Sequence, residues 1–229
     1  MILPGEVISY WDMCKEESMA LQRGMNFKLH KKSNVILMSL RPGSPYADRI
    51  EDNGRVLIYE GHDMPRRDDS IRPKEIDQPM HDKGKLSQNG LFFEAATKFK
   101  KGEVPAEIVK VYEKVKTGIW TYNGHFKLVD AWQENCGPRK VFKFRLEIVE
   151  GIDSLKAGNE DDEHPRIIPT TVKVEVWKRD KGKCCVCGSK TNLHFDHIIP
   201  YSKGGTSLSA DNIQLLCAKH NIAKKDQIE

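Results

Sequence analysis

The sequence has no apolar run that approaches the roughly 18 residues needed to cross a membrane. Its first ten residues lack the basic start and the long apolar centre of a secretion signal. It also has no internal repeat and no long low-complexity tract. These absences argue against an integral membrane protein and against a repeat array. They predict a cytoplasmic protein without a membrane partner.

What is present is typical of a globular protein. The 229 residues are 38% hydrophobic and 31% charged, enough for one large domain or two modest ones. Residues 151–169 are polar, acidic and poor in large apolar side chains, with Pro165 and Pro169 near their end. This composition predicts a linker or exposed loop between a first segment, 1–150, and a second segment, 170–229.

The formal charge is unevenly distributed. Residues 178–229 contain nine Lys or Arg and five Asp or Glu, a net of +4. The preceding 177 residues contain 28 of each sign and have no net charge. The excess predicts a polyanionic partner for the second segment. A charge of this size is equally compatible with an ordinary solvated surface.

Short runs of β-favouring residues dominate the first segment. Residues 35–40 and 55–59 read as strands, and residues 142–148 alternate between apolar and charged, as a half-buried strand does. One helix is predicted over 88–101, with Ser87 as its cap. Many strands with few helices indicate a curved sheet or barrel.

The second segment has a different pattern. A helix is predicted over 172–178, strands over 193–199 and 213–216, and a basic helix over 218–227. The last three elements follow the order β-β-α. Together the two segments predict the α+β class.

Four of the six cysteines lie within 34 residues, near a histidine. Cys184-x-x-Cys187 and Cys217-x-x-His220 are two matched pairs, and a two-residue gap lets a tight turn point both ligand atoms at one ion. Two such turns complete the tetrahedron that zinc prefers, which predicts a structural zinc site. Cys185 lacks this spacing and is predicted to be a bystander. The alternative is two incidental pairs in a reduced cytosol.

A set of motif residues lies in sequence between the two ligand pairs and directly after the second. In order, they are Asp196-His197, Pro200, Gly204-Gly205, Asn212 and Asn221-x-x-Lys224. With the cysteine pairs, this order resembles the HNH nuclease family over residues 170–229. The resemblance implies a ββα-metal module that cleaves DNA. The alternative is a degenerate module that no longer cleaves.

Phosphodiester cleavage needs a base that activates water and a cation that stabilises charge on the phosphate. The resemblance assigns His197 as the base and Asp196 and Asn221 as ligands of a catalytic Mg²⁺ or Mn²⁺. It also implies that Asn212 positions His197 through a hydrogen bond. Lys224 is predicted to contact a phosphate. Because many members have histidine where Asn221 stands, the preferred metal is left open.

The first segment has a resemblance of its own. Residues 118–132, Gly-Ile-Trp-Thr-Tyr-Asn-Gly-His-Phe-Lys-Leu-Val-Asp-Ala-Trp, precede a basic, phenylalanine-rich stretch at 139–145. This pattern resembles the SRA (YDG) domain over about residues 1–150, although Asn123 replaces the aspartate of that family. The resemblance implies an SRA/PUA-like curved β-barrel that flips a modified cytosine out of duplex DNA.

The same resemblance implies a pocket for the flipped base. Tyr46 and Tyr59 would sandwich the base, and the carboxylate of Asp48 would read its exocyclic amine. Asp52 and Glu60 are alternatives to Asp48. A plainer interpretation is that both tyrosines pack at the edge of the core with their hydroxyls outward.

Together the two resemblances predict a modification-dependent restriction endonuclease of the bacterial cytoplasm. It would recognise 5-methylcytosine or a related base in double-stranded DNA and cut nearby. One active site per chain suggests a homodimer or sequential nicking. The alternatives are an HNH nicking or homing-type endonuclease without modification dependence, and a modified-DNA reader that does not cleave.

Overall fold

The computed structural model describes residues 2–29, 33–66, 72–149, 167–200 and 203–224. The strands are β1 Val7–Ser9, β2 Met25–Leu29, β3 Ser33–Met38, β4 Arg49–Glu51, β5 Val56–Glu60, β6 His81–Asp82, β7 Lys85–Leu86, β8 Ile108–Lys116, β9 Ile119–Cys136, β10 Arg139–Ile148, β11 Leu193–His197 and β12 Ile213–Cys217. The α-helices are α1 Tyr10–Glu16, α2 Gln88–Lys100, α3 Thr170–Arg179 and α4 Ala218–Lys224. None of these helices is long and apolar enough to cross a membrane.

One large sheet organises the first segment. Its strand order is β2-β3-β8-β9-β10-β5-β4, and β1 pairs with β9 as well. The neighbours are antiparallel except β3 and β8, which are parallel. Register shifts interrupt the β8–β9 and β9–β10 pairs, and such bulges increase local twist. The α+β class is confirmed, and over the described strands the predicted barrel is an open sheet with β2 and β4 at its ends.

Helix α2 forms where the sequence predicts it, because a capping residue marks its start and a glycine marks its end. The Ser87 hydroxyl accepts a hydrogen bond from the Gly90 N–H at 3.1 Å, which caps the first turn. Gly102 follows the helix with a φ of 72°, a conformation that glycine adopts without strain. Phe92 and Ala96 are buried and pack on the sheet.

Strand β10 departs from the predicted alternation. Phe142, Phe144 and Leu146 are buried as predicted. Lys143, predicted to face solvent, is only 2% exposed. Its ammonium lies 2.9 Å from the carboxylate of Glu60 on the neighbouring strand β5. A lysine is buried only when its charge is compensated, and the partner is 83 residues away in sequence.

The second segment has the predicted β-β-α order. β11 and β12 are antiparallel and share a separate apolar core with α3, and α4 lies against both strands. The Arg179 guanidinium, at the end of α3, donates to the carbonyl oxygens of Ala210 and Ile213, each at 2.7 Å. This bridge holds α3 to the start of β12.

The two segments are in direct contact. Most of the predicted 151–169 linker lies outside the described residues, but Ile167 is buried in the first core and Ile168 in the second. Near the N-terminus, the Gly5 carbonyl accepts from the Phe195 N–H at 3.0 Å, while its own N–H donates to Tyr122. With a φ of 83° and only 2.8 Å between its would-be Cβ and the Phe195 oxygen, this position requires glycine.

A buried polar network crosses the contact between the segments. The Lys173 ammonium on α3 lies 2.6 Å from the Glu113 carboxylate on β8 and donates to Asn123 at 2.8 Å. The Asn123 amide donates to Glu113 at 2.9 Å, and the Thr170 hydroxyl donates to the same carboxylate. An aspartate at position 123 would place a second negative charge beside Glu113. The asparagine that departs from the SRA pattern therefore suits a site with one buried lysine.

The variant Lys173→Met is expected to lower the free energy of unfolding by about 3–5 kcal/mol, because it leaves the Glu113 carboxylate buried and unpaired. Urea unfolding of the full chain measures this change. The double variant Lys173→Met/Glu113→Gln removes both charges and should recover most of the loss. Equal stability of the single and the double variant would show that the ion pair is not what holds this contact.

Candidate nuclease centre and candidate base pocket

The four predicted zinc ligands lie together at one end of the β11–β12 hairpin. The ligand atoms of Cys184, Cys187, Cys217 and His220 are all within 4.8 Å of one another. The Cys187 and Cys217 sulfurs are 3.8 Å apart, and the His220 Nδ1 is 3.4 Å and 3.3 Å from the sulfurs of Cys184 and Cys217. Bonds of about 2.3 Å from zinc place two tetrahedral sulfurs about 3.8 Å apart. The donor set therefore fits a zinc ion.

Turns at both pairs aim the ligands inward. The Gly188 N–H donates to the Cys184 carbonyl at 2.8 Å, which closes the first turn, and Cys217 ends β12 one helical turn before His220. Burial would raise the pKa of the Cys184 thiol, but nearby backbone N–H groups and His220 hold it at about 6. Cys185 lies outside the cluster, and its thiol donates to Gln214 at 3.2 Å.

Asp196 and His197 end strand β11, opposite Gln214 and Ile213 of β12. The Asp196 Oδ2 atom is buried and lies 3.0 Å from the Lys224 ammonium, with which it forms an ion pair. Burial raises the pKa of the Asp196 carboxyl, and the Lys224 charge opposes this rise. A carboxylate oxygen at this position is a suitable ligand for a hard divalent cation.

The imidazole of His197 is partly buried. Its Nε2 atom lies 2.8 Å from the Ser207 hydroxyl. Burial, with a smaller contribution from Lys224, lowers the pKa of His197 to about 4. The ring is therefore neutral at neutral pH and has a nitrogen that can accept a proton. Nothing in the sequence motif pointed to Ser207.

Asn212 contributes to the site in another way than predicted. Its amide oxygen accepts from the Ile199 N–H at 2.8 Å, and its amide nitrogen donates to the Ile199 and Thr206 carbonyls, each at 3.0 Å. Over the described residues, these bonds go to the loop backbone instead of to the imidazole of His197. Asn212 thus clamps the loop between β11 and β12, and this loop carries Ser207.

Helix α4 is seven residues long. It carries the predicted zinc ligand His220, the predicted ligand of the catalytic ion Asn221, and Lys224. His220 points into the zinc cluster, Asn221 is half-buried, and Lys224 is 3% exposed. The Lys224 ammonium donates to the His197 carbonyl at 2.6 Å, besides its ion pair with Asp196. The predicted phosphate contact is therefore not available to Lys224 in this state.

The three residues predicted to form a base pocket gather at the end of β5, near one histidine. Asp48 is half-buried, and its carboxylate accepts from the Glu60 N–H at 3.0 Å and the Ser39 N–H at 3.2 Å. Burial raises the pKa of this carboxyl to about 7, against the effect of those two hydrogen bonds. A carboxyl that is partly ionised at neutral pH can accept a hydrogen bond from an amine.

His62 joins the two predicted tyrosines, and no sequence signal singled it out. Its ring stacks on Tyr46 with centroids 4.7 Å apart and planes 5° apart, and its Nε2 lies 2.7 Å from the Tyr59 hydroxyl. Burial lowers the pKa of His62 to about 4. The Lys74 ammonium lies 4.3 Å from the Tyr46 ring centroid. A base that stacks on Tyr46 must therefore displace either the imidazole or the ammonium.

The two alternatives to Asp48 occupy different surroundings. Glu60 lies in a buried ion network, 2.9 Å from Lys143 and 3.6 Å from Arg139. Because this carboxylate is already neutralised, it is less suited to read a base. Asp52 lies in a short 3-10 helix beyond β4. Asp48 is therefore the carboxyl of the three that is best suited to accept a hydrogen bond from a base.

Comparison with known proteins bears on both segments. Residues 184–227 match the family model described as HNH endonuclease. The match begins at Cys184 and includes Asp196, His197 and Asn221. The C-terminal module is therefore of the HNH type, as predicted. No curated protein matches the chain.

Solved structures similar to this chain include three of the SRA domain of SUVH5. The complex with fully methylated CG DNA is 20% identical with a TM-score of 0.46, and the alignment covers 66% of this chain and 91% of that one. The complex with hemi-methylated CG DNA is 21% identical with a TM-score of 0.47, covering 66% and 90%. The complex with fully hydroxymethylated CG DNA is 20% identical with a TM-score of 0.46, covering 66% and 91%.

Proposed function

We propose that the protein is a modification-dependent DNA endonuclease. Its first segment binds duplex DNA that contains 5-methylcytosine or a related base, and its C-terminal module hydrolyses a phosphodiester bond nearby. The proposal rests on two features of one chain: a carboxyl of raised pKa, Asp48, beside aromatic rings, and an HNH match around Asp196-His197. Such an enzyme would act in a bacterial cytoplasm against modified foreign DNA.

The base pocket would recognise the flipped cytosine by stacking and by hydrogen bonding. The carboxylate of Asp48 accepts a hydrogen bond from the exocyclic amine, a group that cytosine keeps when carbon 5 is methylated. The ring of Tyr46 supplies a stacking face once His62 or Lys74 has moved. Stacking and pairing then offset the unstacking energy that flipping costs.

The nuclease site would activate water with the neutral imidazole of His197. Ser207 fixes the orientation of this ring. Asp196 and Asn221 would hold the divalent cation, and bound Mg²⁺ or Mn²⁺ would stabilise the charge that develops on the phosphate. The Cys₃His cluster has four protein ligands and no open position, so its zinc would be structural.

One plasmid in methylated and unmethylated form, incubated with Mg²⁺ or Mn²⁺, tests the proposal. We expect cutting of the methylated form only. Equal cutting of both forms would favour a nicking or homing-type nuclease without modification dependence. Binding without cutting under either metal would favour a reader that does not cleave. Linear product from a chain that sediments as a dimer would support two cooperating copies, whereas nicked circles would support single-strand cuts.

The variant Tyr46→Ala is expected to reduce the preference for methylated duplex by roughly 5- to 150-fold, because stacking of one base on an aromatic ring contributes about 1–3 kcal/mol. Binding of methylated and unmethylated duplexes of the same sequence measures this preference. Tyr10→Ala removes a tyrosine of helix α1, which lies outside the pocket, and this variant should keep the preference for methylated duplex. An unchanged preference in Tyr46→Ala would remove Tyr46 from the pocket.

A further inference from the structure

Lys224 is an unusual residue for a phosphate contact, because its side chain is only 1% exposed. Its ammonium lies 3.0 Å from the Asp196 carboxylate and 2.6 Å from the His197 carbonyl oxygen. Lysine is almost never fully buried unless its charge is paired. Here the paired carboxylate is the one that the proposed function assigns to the catalytic metal.

The Lys224 ammonium and a divalent cation bound to Asp196 would repel each other. Both are attracted to the same carboxylate, and repulsion between them is poorly screened because the site is largely closed to water. Over the described residues near the pair, Asp196 is the acidic side chain within ion-pairing distance of Lys224. A bound divalent ion would therefore remove the interaction that keeps the lysine inside.

The position of Lys224 on the chain gives it a way out. Lys224 lies on α4, a surface helix whose Lys219, Ile222 and Ala223 are exposed, so solvent is close to its stem. A lysine side chain spans four methylene groups and can leave its ammonium in water while its stem stays on apolar surface.

Resting on the proposed function, we propose that Lys224 is a displaceable counter-ion of the nuclease site. Before the metal binds, the ammonium neutralises Asp196 and ties α4 to the end of β11. Binding of the divalent cation to Asp196 expels the ammonium, which then lies at the surface beside the site and contacts a DNA phosphate. Metal binding thus makes the Lys224 ammonium available to the phosphate.

Lysine footprinting of the full chain with an amine-acylating reagent tests this inference. The zinc-loaded protein is labelled without other metal and with saturating Mn²⁺, and each lysine is followed by mass spectrometry. We expect Lys224 to be labelled at least about tenfold faster with Mn²⁺, because it moves from a buried ion pair to the surface. Lys219, exposed on the same helix, is the internal control and should react equally in both states.

Two variants complete the experiment. Asp196→Asn removes the ion pair, so Lys224 should be labelled rapidly without metal and should no longer respond to Mn²⁺. Lys224→Met should bind Mn²⁺ about tenfold more tightly than the wild type by electron paramagnetic resonance, whereas Lys219→Met should not change the affinity.

Protection of Lys224 that persists while Mn²⁺ is bound would overturn the inference, and so would a failure of Mn²⁺ to bind. The first result would mean that the lysine stays on one oxygen of Asp196 and positions it for the metal. These readouts use no DNA. A plasmid that is cut regardless of methylation would therefore reject the modified-base reading without affecting the outcome for Lys224.

Discussion

The variant His197→Ala is expected to cut methylated DNA about 10²- to 10⁴-fold more slowly than the wild type, the range that a positioned general base contributes. The imidazole is neutral at neutral pH because burial lowers its pKa, and Ser207 holds one of its nitrogens. Alanine at this position removes the group that accepts the proton from water. It leaves the Cys₃His cluster and the base pocket unchanged, since neither uses this side chain.

Three measurements separate a catalytic loss from a folding loss. The His197→Ala variant should keep its zinc content, its melting temperature within a few degrees, and its affinity for methylated duplex. His194→Gln changes a buried histidine on the same strand that has no assigned role, and it should still cut. Normal cleavage by His197→Ala would show that another group is the base.

Local sequence signals were sufficient for part of the secondary structure. Helix α2 is bounded by Ser87 and Gly102, and both signals act over three or four residues. The β-β-α order of the second segment follows from hydrophobic runs and from two cysteine pairs that confine a small core. Such features are properties of neighbouring residues, so one sequence is enough to predict them.

The buried charges could not be predicted in this way. Lys143 occupies a position that the alternation along β10 gives to solvent, and it is buried because Glu60 lies on the next strand. The motif predicts that Lys224 contacts a phosphate at the surface, whereas its side chain is buried in an ion pair with Asp196. In both cases the deciding partner is distant in sequence, and pairing across strands or helices is invisible to periodicity.

The role of Asn212 illustrates a similar limit. A motif names the residue type but not the atoms that it bonds. The amide of Asn212 satisfies the backbone of Ile199 and Thr206, so it shapes the loop around the site. His62 was missed altogether, because a histidine three residues after Tyr59 has no recognisable spacing.

The variant Cys187→Ser is expected to lose the bound zinc, the cooperative unfolding of the C-terminal module and all cleavage. Zinc contributes about 10–16 kcal/mol of binding free energy in zinc-finger peptides, and this free energy is available for folding. We expect the module to depend on it, because its apolar core is small. Metal analysis, thermal unfolding and the plasmid assay measure the three losses. Binding of methylated duplex should remain, since the pocket lies in the first segment.

Cys185→Ser is the matched control for this loss. Both cysteines are exposed and lie two residues apart in the same turn, so neither substitution removes a packed side chain. Only Cys187 belongs to the ligand cluster, whereas Cys185 donates to Gln214, a bond that serine can also make. Equal zinc content in the two variants would mean that the cluster does not hold the ion. A loss confined to Cys187→Ser ties the folding of the nuclease module to its metal.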